Sequence, residues 1–558
     1  MTGLIAQRLS DALVQVFAEG GISHAFGLIG GAVAPFARAL NDGPIEVVHC
    51  RHETCAAFAA LEGYFTTGRP GLVFTTTGPG LTNALTGLAA ARWEGGKVVL
   101  VSAVTPVQNR GRWAFQETAH FDVTGVFPSS RLFHYSALVD DVTAFPVVAT
   151  RLLRGLRRPG PFVAHIQLPL SIQAASLPTF PVPRVSSENR IVAERDVIDR
   201  IVRTLDGSSF AVWVGFGARE ASADLLSFVE QTGAPVMSSP RGKGVFPEDH
   251  PLYLGVTGFG GHAAVDEYTT ESRPDYVIVL GTRLGEMTSS WDRNLLPREA
   301  FIHVDIDPDV FGAAYSDVTT IGVQSDVGEF LKELLRRGGA AFRSSARPPV
   351  KSPFPKAPEP REEGPVRPQV LLDSVQRLIL DRGERVTLMS EAGNAFAWAT
   401  HWLRFSGHAK YRVSMGFGSM GHAVGAALGI ALVGKHKGIA LLGDGAMLMN
   451  NEISTAVHHR APAVWIVLND SQYGMIRQGM LANGHRPFAT EIPHADFARI
   501  ADGMGAKGIR VTREPELPAA LEAAMREPGP VVVDVVVDGA QRAPTGKRFS
   551  TLLDQGDI

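Results

Sequence analysis

Two aspartates in the last third of the chain have a spacing that suits metal chemistry. In GDGAMLMNNEISTAVHHRAPAVWIVLND, Asp444 follows one apolar run and Asp470 follows the next. The carboxyl ends of parallel strands open onto one crevice where ligands bind, and Gly443 and Gly445 let a ligand approach the backbone closely. A GDG sequence alone is more typical of a turn. The second acid, with a helix N-terminus beside it, favours a hard divalent cation that bridges two carboxylates to a diphosphate.

The elements that would position these aspartates follow an alternating pattern. Short apolar runs typical of buried strands alternate with Ala-rich helical stretches, which predicts an α/β fold of three doubly wound parallel-sheet domains. The predicted domains are 1–175, 190–340 and 365–540, followed by a C-terminal tail, 541–558. The linkers LPTFPVPRVSSEN and ARPPVKSPFPKAPEPREEGPVRPQ are rich in proline, and we expect the second to contribute no core element.

One helix is predicted between the two aspartates. The stretch AMLMNNEISTAVHHRA has helical spacing, and Pro462 would end it. Its apolar stripe would consist of Met447, Ile453, Ala456 and Val457.

Composition excludes several classes of protein. The 558 residues are 45% hydrophobic and 20% charged, as expected of a globular protein of about three domains. A net charge of −3 gives no electrostatic footprint for nucleic acid or an anionic membrane. No apolar run approaches the roughly 18 residues of a membrane span. Cys50 and Cys55 are too few for a disulfide framework, and the N-terminus lacks a signal-peptide pattern, which together predict a cytoplasmic protein.

The aspartate stretch resembles the thiamine diphosphate motif of the acetolactate synthase and 2-oxo acid decarboxylase superfamily. That family ends the motif in two asparagines, where this chain has Asn469 and then Asp470. The resemblance implies thiamine diphosphate and Mg²⁺, with the metal held by Asp444, Asp470 and the backbone carbonyl of Gln472. It also implies pyrimidine-binding, central Rossmann-like and diphosphate-binding domains, in that order along the chain.

The first domain is similar to the pyrimidine-binding domain along VVHCRHETCAAFAALEGYFTTGRPGLVFTTTGPGLTN. The resemblance makes Glu53 the catalytic carboxyl group that relays a proton at the aminopyrimidine ring. Taken alone, Glu53 is more typical of a charge at a helix N-terminus. The segment FQE implies a catalytic Gln116, and His120, one helical turn later, is either a proton donor or an ordinary helix histidine. The implied cofactor contacts are Gly30, Gly31, Thr77 and Asn83.

The third domain carries the other implied cofactor contacts. SMGFGSMG resembles the family's Gly-rich segment, in which Met420 would bend the cofactor and the Gly418 carbonyl would accept from its 4′-amino group. Ordinary helix packing is the alternative for Met420. The remaining implied contacts are Gly393, Asn394, Gly443, Asp444, Gly445, Ala446, Met447, Asp470, Tyr473, Gly474 and Met475.

The middle domain resembles the one that binds FAD in acetolactate synthases, along GKGVFPEDHP, VIVLGTRLGEMTSSW and HVDIDP. WVGFGARE is too poor in glycine for a full dinucleotide fingerprint, and several relatives keep this domain without a flavin. Whether this chain binds FAD therefore stays open, and the sequence patterns favour the absence of a flavin.

Two departures from the family bear on the substrate. Gly479 stands where the biosynthetic enzymes carry a tryptophan, and Leu28 stands where many carry a tyrosine. Since a lost aromatic leaves space, we expect a pocket for a larger or different second substrate.

The resemblance implies a thiamine diphosphate-dependent carboligase that decarboxylates a 2-oxo acid and joins the acyl group to a second carbonyl or an activated alkene. The first alternative is a non-oxidative 2-oxo acid decarboxylase that releases an aldehyde. It is weakened because the adjacent His458 and His459 lie outside the first domain. The second alternative, a subunit without turnover, is opposed by Glu53 and the metal motif. A homodimer or homotetramer is expected, because the family builds each site from two chains.

Overall fold

The structure, a computed structural model, describes residues 7–117, 132–177, 190–339, 342–347, 352–449 and 452–549. It contains three six-stranded parallel sheets flanked by helices, which confirms the predicted α/β class. Within the described ranges, no helix is long and apolar enough to cross a membrane.

The first domain builds one parallel sheet and a short antiparallel pair. Its elements are β1 (Gln7–Arg8), α1 (Leu9–Glu19), β2 (His24–Gly27), α2 (Ala34–Asn41), β3 (Glu46–His49), α3 (Glu53–Thr67), β4 (Gly71–Thr75), α4 (Pro79–Glu94), β5 (Lys97–Val104), β6 (Tyr135–Leu138), α5 (Phe145–Arg157), β7 (Phe162–Pro169), α6 (Leu170–Gln173) and β8 (Ser176–Leu177). The sheet order is β3-β2-β4-β5-β7-β6, and β1 pairs with β8. Strands β4 and β5 are buried almost throughout, as expected with helices on both faces.

The second domain repeats this architecture. Its elements are α7 (Arg195–Leu205), β9 (Phe210–Val214), α8 (Ser222–Thr232), β10 (Val236–Ser238), β11 (Tyr253–Val256), α9 (Ala263–Ser272), β12 (Tyr276–Leu280), α10 (Glu286–Ser289), β13 (Ala300–Asp305), β14 (Thr320–Gln324) and α11 (Val327–Gly338). The sheet order is β11-β10-β9-β12-β13-β14.

The third domain contains both aspartates. Its elements are α12 (Pro368–Leu378), β15 (Val386–Ser390), α13 (Asn394–Trp402), β16 (Lys410–Val413), α14 (His422–Gly434), β17 (Lys437–Gly443), α15 (Asp444–Met447), α16 (Ile453–His459), β18 (Ala463–Asn469), α17 (Gly474–Ala482), α18 (Phe497–Gly503), β19 (Lys507–Val511), α19 (Leu517–Arg526) and β20 (Val531–Val536). The sheet order is β16-β15-β17-β18-β20-β19. Because β17 and β18 are parallel neighbours, Asp444 and Asp470, which directly follow them, lie at the same edge of the sheet.

The first and third domains share a core along α3 and α14. A Cβ at Gly429 would come to 2.1 Å from the carbonyl oxygen of Ala59, and one at Gly425 to 2.8 Å from that of Cys55. The two helix backbones therefore touch, which only glycine permits at these positions. This contact fixes α3, which begins at Glu53, against the helix that follows Met420.

Two predictions about local structure were wrong. The single helix expected after Gly445 is divided into α15 and α16, and it ends at His459, where Arg460 takes a left-handed φ of 49°, rather than at Pro462. The second linker also contributes to a core. Its Val366 is fully buried and pairs with Val537 beyond β20, because the linker's end extends the third sheet's edge.

Candidate active site

A cavity of about 310 Å³ lies at the carboxyl ends of β15, β17 and β18. Two nine-residue helices, α13 and α17, begin at its wall. Helix N-termini offer free N–H groups and a positive dipole end, so this wall suits an anion such as a diphosphate. The wall consists of Pro368, Ala392, Gly393, Asn394, Ala395, Trp398, Gly418, Met420, Gly443, Asp444, Gly445, Ala446, Leu468, Asp470, Gln472, Tyr473, Gly474, Met475, Ile476, Val537, Asp538 and Gln541.

The wall thus brings together all the third-domain residues expected to bind cofactor or metal except one. Met447 packs in the hydrophobic core and is absent from the wall. Its side chain is 1% exposed and belongs to the apolar stripe predicted for this stretch.

Two acids lie side by side on this wall: Asp444, which is buried, and Asp470, which is half-buried. The two Asp444 oxygens accept hydrogen bonds from the N–H groups of Gly445 and Ser471, both at 2.7 Å, and Asp470 accepts one from the Gln472 side chain at 2.9 Å. Burial raises the pKa of Asp470 to about 6, and the charge on Asp444 adds to that shift. The described wall contains no Lys or Arg to balance the two acids. This oxygen-rich, anionic corner fits Mg²⁺.

Three glycines and one amide shape the remainder of the wall. A Cβ at Gly445 would come to 2.7 Å from the Tyr473 ring, and Gly393 and Gly418 have φ values of 103° and 64°. These positions require glycine. The Asn394 Oδ1 atom is buried without a hydrogen-bond partner among the described residues, so a polar group of a ligand would satisfy it.

The first-domain candidates converge around the start of α4. The Asn83 amide donates to the buried Glu53 carboxylate at 3.1 Å, and the Thr77 hydroxyl lies 3.4 Å from Gln116 Oε1. A Cβ at Gly80 would come to 3.4 Å from Glu53, which places the carboxylate beside the same helix end. The Asn83 amide therefore holds the Glu53 carboxylate at the start of α4, the same helix end beside which Thr77 and Gln116 lie.

The other first-domain candidates lie nearby or outside the described residues. Gly30 packs against Thr76, since a Cβ there would come to 2.6 Å from the Thr76 hydroxyl, while nothing lies within 4 Å of one at Gly31. Gly31 thus borders open space. His120 lies outside the described residues.

Among the described residues, the cavity wall and the Glu53 cluster have no residue in common. Every described residue of the wall lies between Pro368 and Gln541, in the third domain and its C-terminal extension. Large apolar side chains are exposed beside both features: Ile476 at the cavity is 55% exposed, and Phe115, next to Gln116, is 90% exposed. Exposed apolar groups of this size are typical of surfaces that another protein chain covers.

Sequence reasoning missed a buried ionic cluster where the three domains meet. Glu62 of α3 receives two hydrogen bonds from Arg412, at 2.8 and 3.0 Å, and lies 3.2 Å from His422. The Arg412 guanidinium lies over the rings of Phe65 and Phe216, at 4.1 and 4.3 Å from their centroids. The signal in the sequence was a lone acid in the otherwise apolar run CAAFAALEGYF.

The same cluster holds the loop that carries Gly418 and Met420. In this Met420 loop, residues 414–421, the Ser414 hydroxyl and the Gly416 N–H both donate to Glu94 Oε1, at 3.0 and 2.7 Å. Arg241 of the second domain lies 3.0 Å from the other Glu94 oxygen. Since Arg412 precedes the loop and His422 follows it, two buried carboxylates of the first domain fix both ends.

The recess expected at Gly479 is filled. A Cβ at Gly479 would come to 2.9 Å from the Phe549 ring, which belongs to the C-terminal segment. That segment is tied to α17 by mutual hydrogen bonds between Gln478 and Ala543, at 2.9 and 3.2 Å. An aromatic side chain distant in sequence thus occupies the space that the missing aromatic was expected to leave.

Comparisons with known proteins agree with this architecture. Three family models match: "Thiamine pyrophosphate enzyme, N-terminal TPP binding domain" at residues 7–124, the central domain at 198–334, and the C-terminal TPP binding domain at 391–535. Acetolactate synthase isozyme 3 large subunit of Escherichia coli is 28% identical, over 95% of this chain and 95% of its own. Acetolactate synthase 2 of Zea mays is 28% identical, over 98% of this chain and 89% of its own. Acetolactate synthase 1 of Oryza sativa is 27% identical, over 98% and 88%. The chain therefore belongs to the thiamine diphosphate-dependent enzymes of the acetolactate synthase and 2-oxo acid decarboxylase superfamily.

Proposed function

We propose that this enzyme is a carboligase: it decarboxylates a 2-oxo acid and joins the acyl group to a second carbonyl substrate. The supporting observation is the cavity wall, where one buried and one half-buried aspartate adjoin the N-termini of two helices, with no Lys or Arg in the described wall. Such a wall suits a metal–diphosphate pair. The three relatives are named acetolactate synthases, which favours carbon–carbon bond formation over release of an aldehyde.

In this proposal Asp444, Asp470 and the Gln472 carbonyl hold Mg²⁺, and the N–H groups at the starts of α13 and α17 hold the diphosphate. Bound thiamine diphosphate supplies a carbon nucleophile for the 2-oxo group and an electron-accepting ring for the electron pair left by loss of CO₂. The Met420 side chain, whose methyl lies 3.5 Å from the Cβ position of Gly445, supports the cofactor between the two halves of the wall.

Glu53 holds the proton at N1′ of the aminopyrimidine ring. Its carboxylate is buried, and Asn83 fixes one oxygen, so the other oxygen can form the single short contact that proton transfer requires. Gln116 and Thr77, beside it, would contact the substrate carboxylate or carbonyl.

A second copy of the chain supplies Glu53 to each cavity. The described cavity wall contains no first-domain residue, and exposed apolar side chains border both halves of the site. A two-fold dimer brings each Glu53 cluster to the other chain's cavity and buries these side chains.

Product analysis tests the proposal. Wild-type enzyme with thiamine diphosphate and Mg²⁺ is incubated with pyruvate or with one of several larger 2-oxo acids, each alone and with a panel of aldehydes. Glu53→Gln is the inactive reference. Carbon–carbon-bonded products that require wild-type Glu53 support the carboligase. Acetaldehyde as the sole product would identify a decarboxylase, and no CO₂ release from any 2-oxo acid offered would overturn both.

A further inference from the structure

A buried carboxylate of the third domain is bonded to the backbone immediately before Glu53. Glu452 Oε1 accepts from the N–H groups of Arg51 and His52, both at 3.0 Å, and Oε2 lies 3.1 Å from the Arg51 nitrogen. The Glu452 side chain is fully buried, and the Thr455 hydroxyl donates to its second oxygen. The Glu452 carboxylate thus accepts hydrogen bonds from two backbone N–H groups that lie 401 and 400 residues earlier in the sequence.

The Arg51 side chain adds a second connection at the same corner. Its Nε donates to the Ser454 hydroxyl at 3.0 Å, and its NH1 group donates to the His49 carbonyl at 2.7 Å. The turn between β3 and α3 is therefore tied at several points to the start of α16, the helix that follows α15 and Asp444 in the chain. A turn held this way has little freedom to change its direction.

The direction of this turn decides where Glu53 points. Glu53 is the first residue of α3, and His52 caps the helix by accepting from the Thr54 N–H at 3.2 Å. Asn83 holds the Glu53 carboxylate at its far end, while Glu452 holds the backbone at its base. We propose that Glu452 is a positioning residue that sets the geometry of Glu53 toward the aminopyrimidine ring. This inference rests on the proposed function, because it assumes that Glu53 is the proton relay.

The burial of Glu452 would also be explained by a purely structural role, and a control separates the two. Glu248 is another buried carboxylate that crosses a domain boundary: it accepts from the N–H groups of Gly244 and Phe405, at 3.2 and 2.9 Å. It contacts neither the Glu53 turn nor the cavity wall. Glu248 also forms a fully buried ion pair with Lys243 at 3.0 Å, so Glu248→Gln is the harsher loss of a buried charge, and it leaves the relay untouched.

The first measurement uses the cofactor-free chain. Amide hydrogen exchange in peptides that cover Arg51 to Thr54 is compared among wild type, Glu452→Gln, Glu452→Ala and Glu248→Gln. Exchange of these amides is expected to accelerate about tenfold or more in Glu452→Ala, because the Arg51 and His52 N–H groups lose their acceptor. It should accelerate less in Glu452→Gln, which keeps one carbonyl oxygen, and not at all in Glu248→Gln.

The second measurement is hydrogen–deuterium exchange at C2 of bound thiamine diphosphate at saturating cofactor and Mg²⁺. Misplacement of a catalytic group by about 1 Å can cost about a hundredfold. We expect Glu452→Ala to slow C2 exchange at least tenfold, with cofactor affinity near that of wild type, and Glu452→Gln to recover most of the rate.

The reference variant Glu53→Gln keeps the two proposals distinct. If Glu53→Gln exchanges C2 as fast as wild type, the relay assignment in the proposed function is wrong. If Glu53→Gln is slow while folded Glu452→Ala is as fast as wild type, Glu452 does not position Glu53. Equal slowing in Glu452→Gln and Glu248→Gln would show a general loss of stability and would also overturn the inference.

Discussion

The Glu94 carboxylate accepts a 2.7 Å hydrogen bond from the N–H group of Gly416, so the last residue of α4 fixes the loop that carries Met420. A helix of the first domain thus helps to shape the cavity wall of the third domain in the same chain. A residue of the first domain therefore fixes the position of the Met420 loop in the third domain.

Replacing Glu94 should therefore weaken cofactor binding as well as stability. In Glu94→Ala, buried Arg241 loses its counter-charge, which should cost about 3–5 kcal/mol of unfolding free energy. Since the loop also loses its anchor at Gly416, thiamine diphosphate affinity by calorimetry should fall. Glu94→Gln, which keeps a carbonyl acceptor, should bind more tightly than Glu94→Ala. Equal, wild-type affinities in both variants would show that the loop holds its shape without Glu94.

The Glu62 cluster should make stability depend on pH in the acid range. Burial alone would raise the pKa of Glu62, but Arg412 and His422 more than offset it and hold that pKa at about 2, against an ordinary 4.5. The unfolded chain therefore binds this proton first as the pH falls, so the stabilisation is complete above pH 4.5 and is lost toward pH 2. Urea unfolding of wild type and Glu62→Gln should differ most at neutral pH. A gap that stays constant below pH 4.5 would contradict the assignment.

The central strands could be predicted from the sequence because they are buried on both faces. Runs such as AVWIVLN have no polar alternation, and they form fully buried strands. Of the strands that the sequence did not reveal, β6, β14, β16 and β19 lie at sheet edges and contain exposed residues. Two others are buried but only four residues long: β11 at an edge and β2 inside the first sheet. The two-residue strands β1 and β8 were also missed. Edge strands are defined by their neighbours, and local sequence does not encode those neighbours.

Of the polar residues at the cavity and behind it, only some could be placed from the sequence. Asp444 and Asp470 could be placed together because both follow buried strands, and parallel strands share one edge. Glu94 and Glu452 could not, because their partners lie 322 and 400 residues away and the contacts arise only when the domains pack. For the same reason, the sequence could not place the Phe549 ring beside Gly479.

The metal assignment predicts unequal effects at the two aspartates. Asp444→Ala should abolish Mg²⁺-dependent binding of thiamine diphosphate, because an oxygen ligand is lost outright. Asp470→Asn should retain binding, since its amide oxygen can still coordinate. Calorimetric titrations of both variants at the same Mg²⁺ concentration test this, and tight binding by Asp444→Ala would refute the site.

Phe549 should restrict the second substrate. Its ring lies beside Gly479, one turn after the wall residues Met475 and Ile476, so Phe549→Ala opens space at that end of the cavity. We expect the kcat/KM for bulky aldehydes to rise about tenfold relative to small ones. Phe488→Ala, which removes an exposed ring of the same domain, is the matched control. An unchanged preference in Phe549→Ala would place the acceptor elsewhere.

Mixing two inactive variants tests whether each site is built from two chains. Glu53→Gln chains keep an intact metal site, and Asp444→Ala chains keep an intact Glu53 cluster. If the partner chain supplies Glu53, a mixed dimer contains one fully wild-type site and one doubly defective site. Random exchange at equal concentrations should make half of the dimers mixed and restore about a quarter of wild-type turnover.

Native mass spectrometry confirms the exchange. The control mixes Glu53→Gln with an Asp444→Ala/Glu53→Gln double variant, and this mixture should stay inactive. Verified mixed dimers without turnover would mean that Glu53 serves the cavity of its own chain.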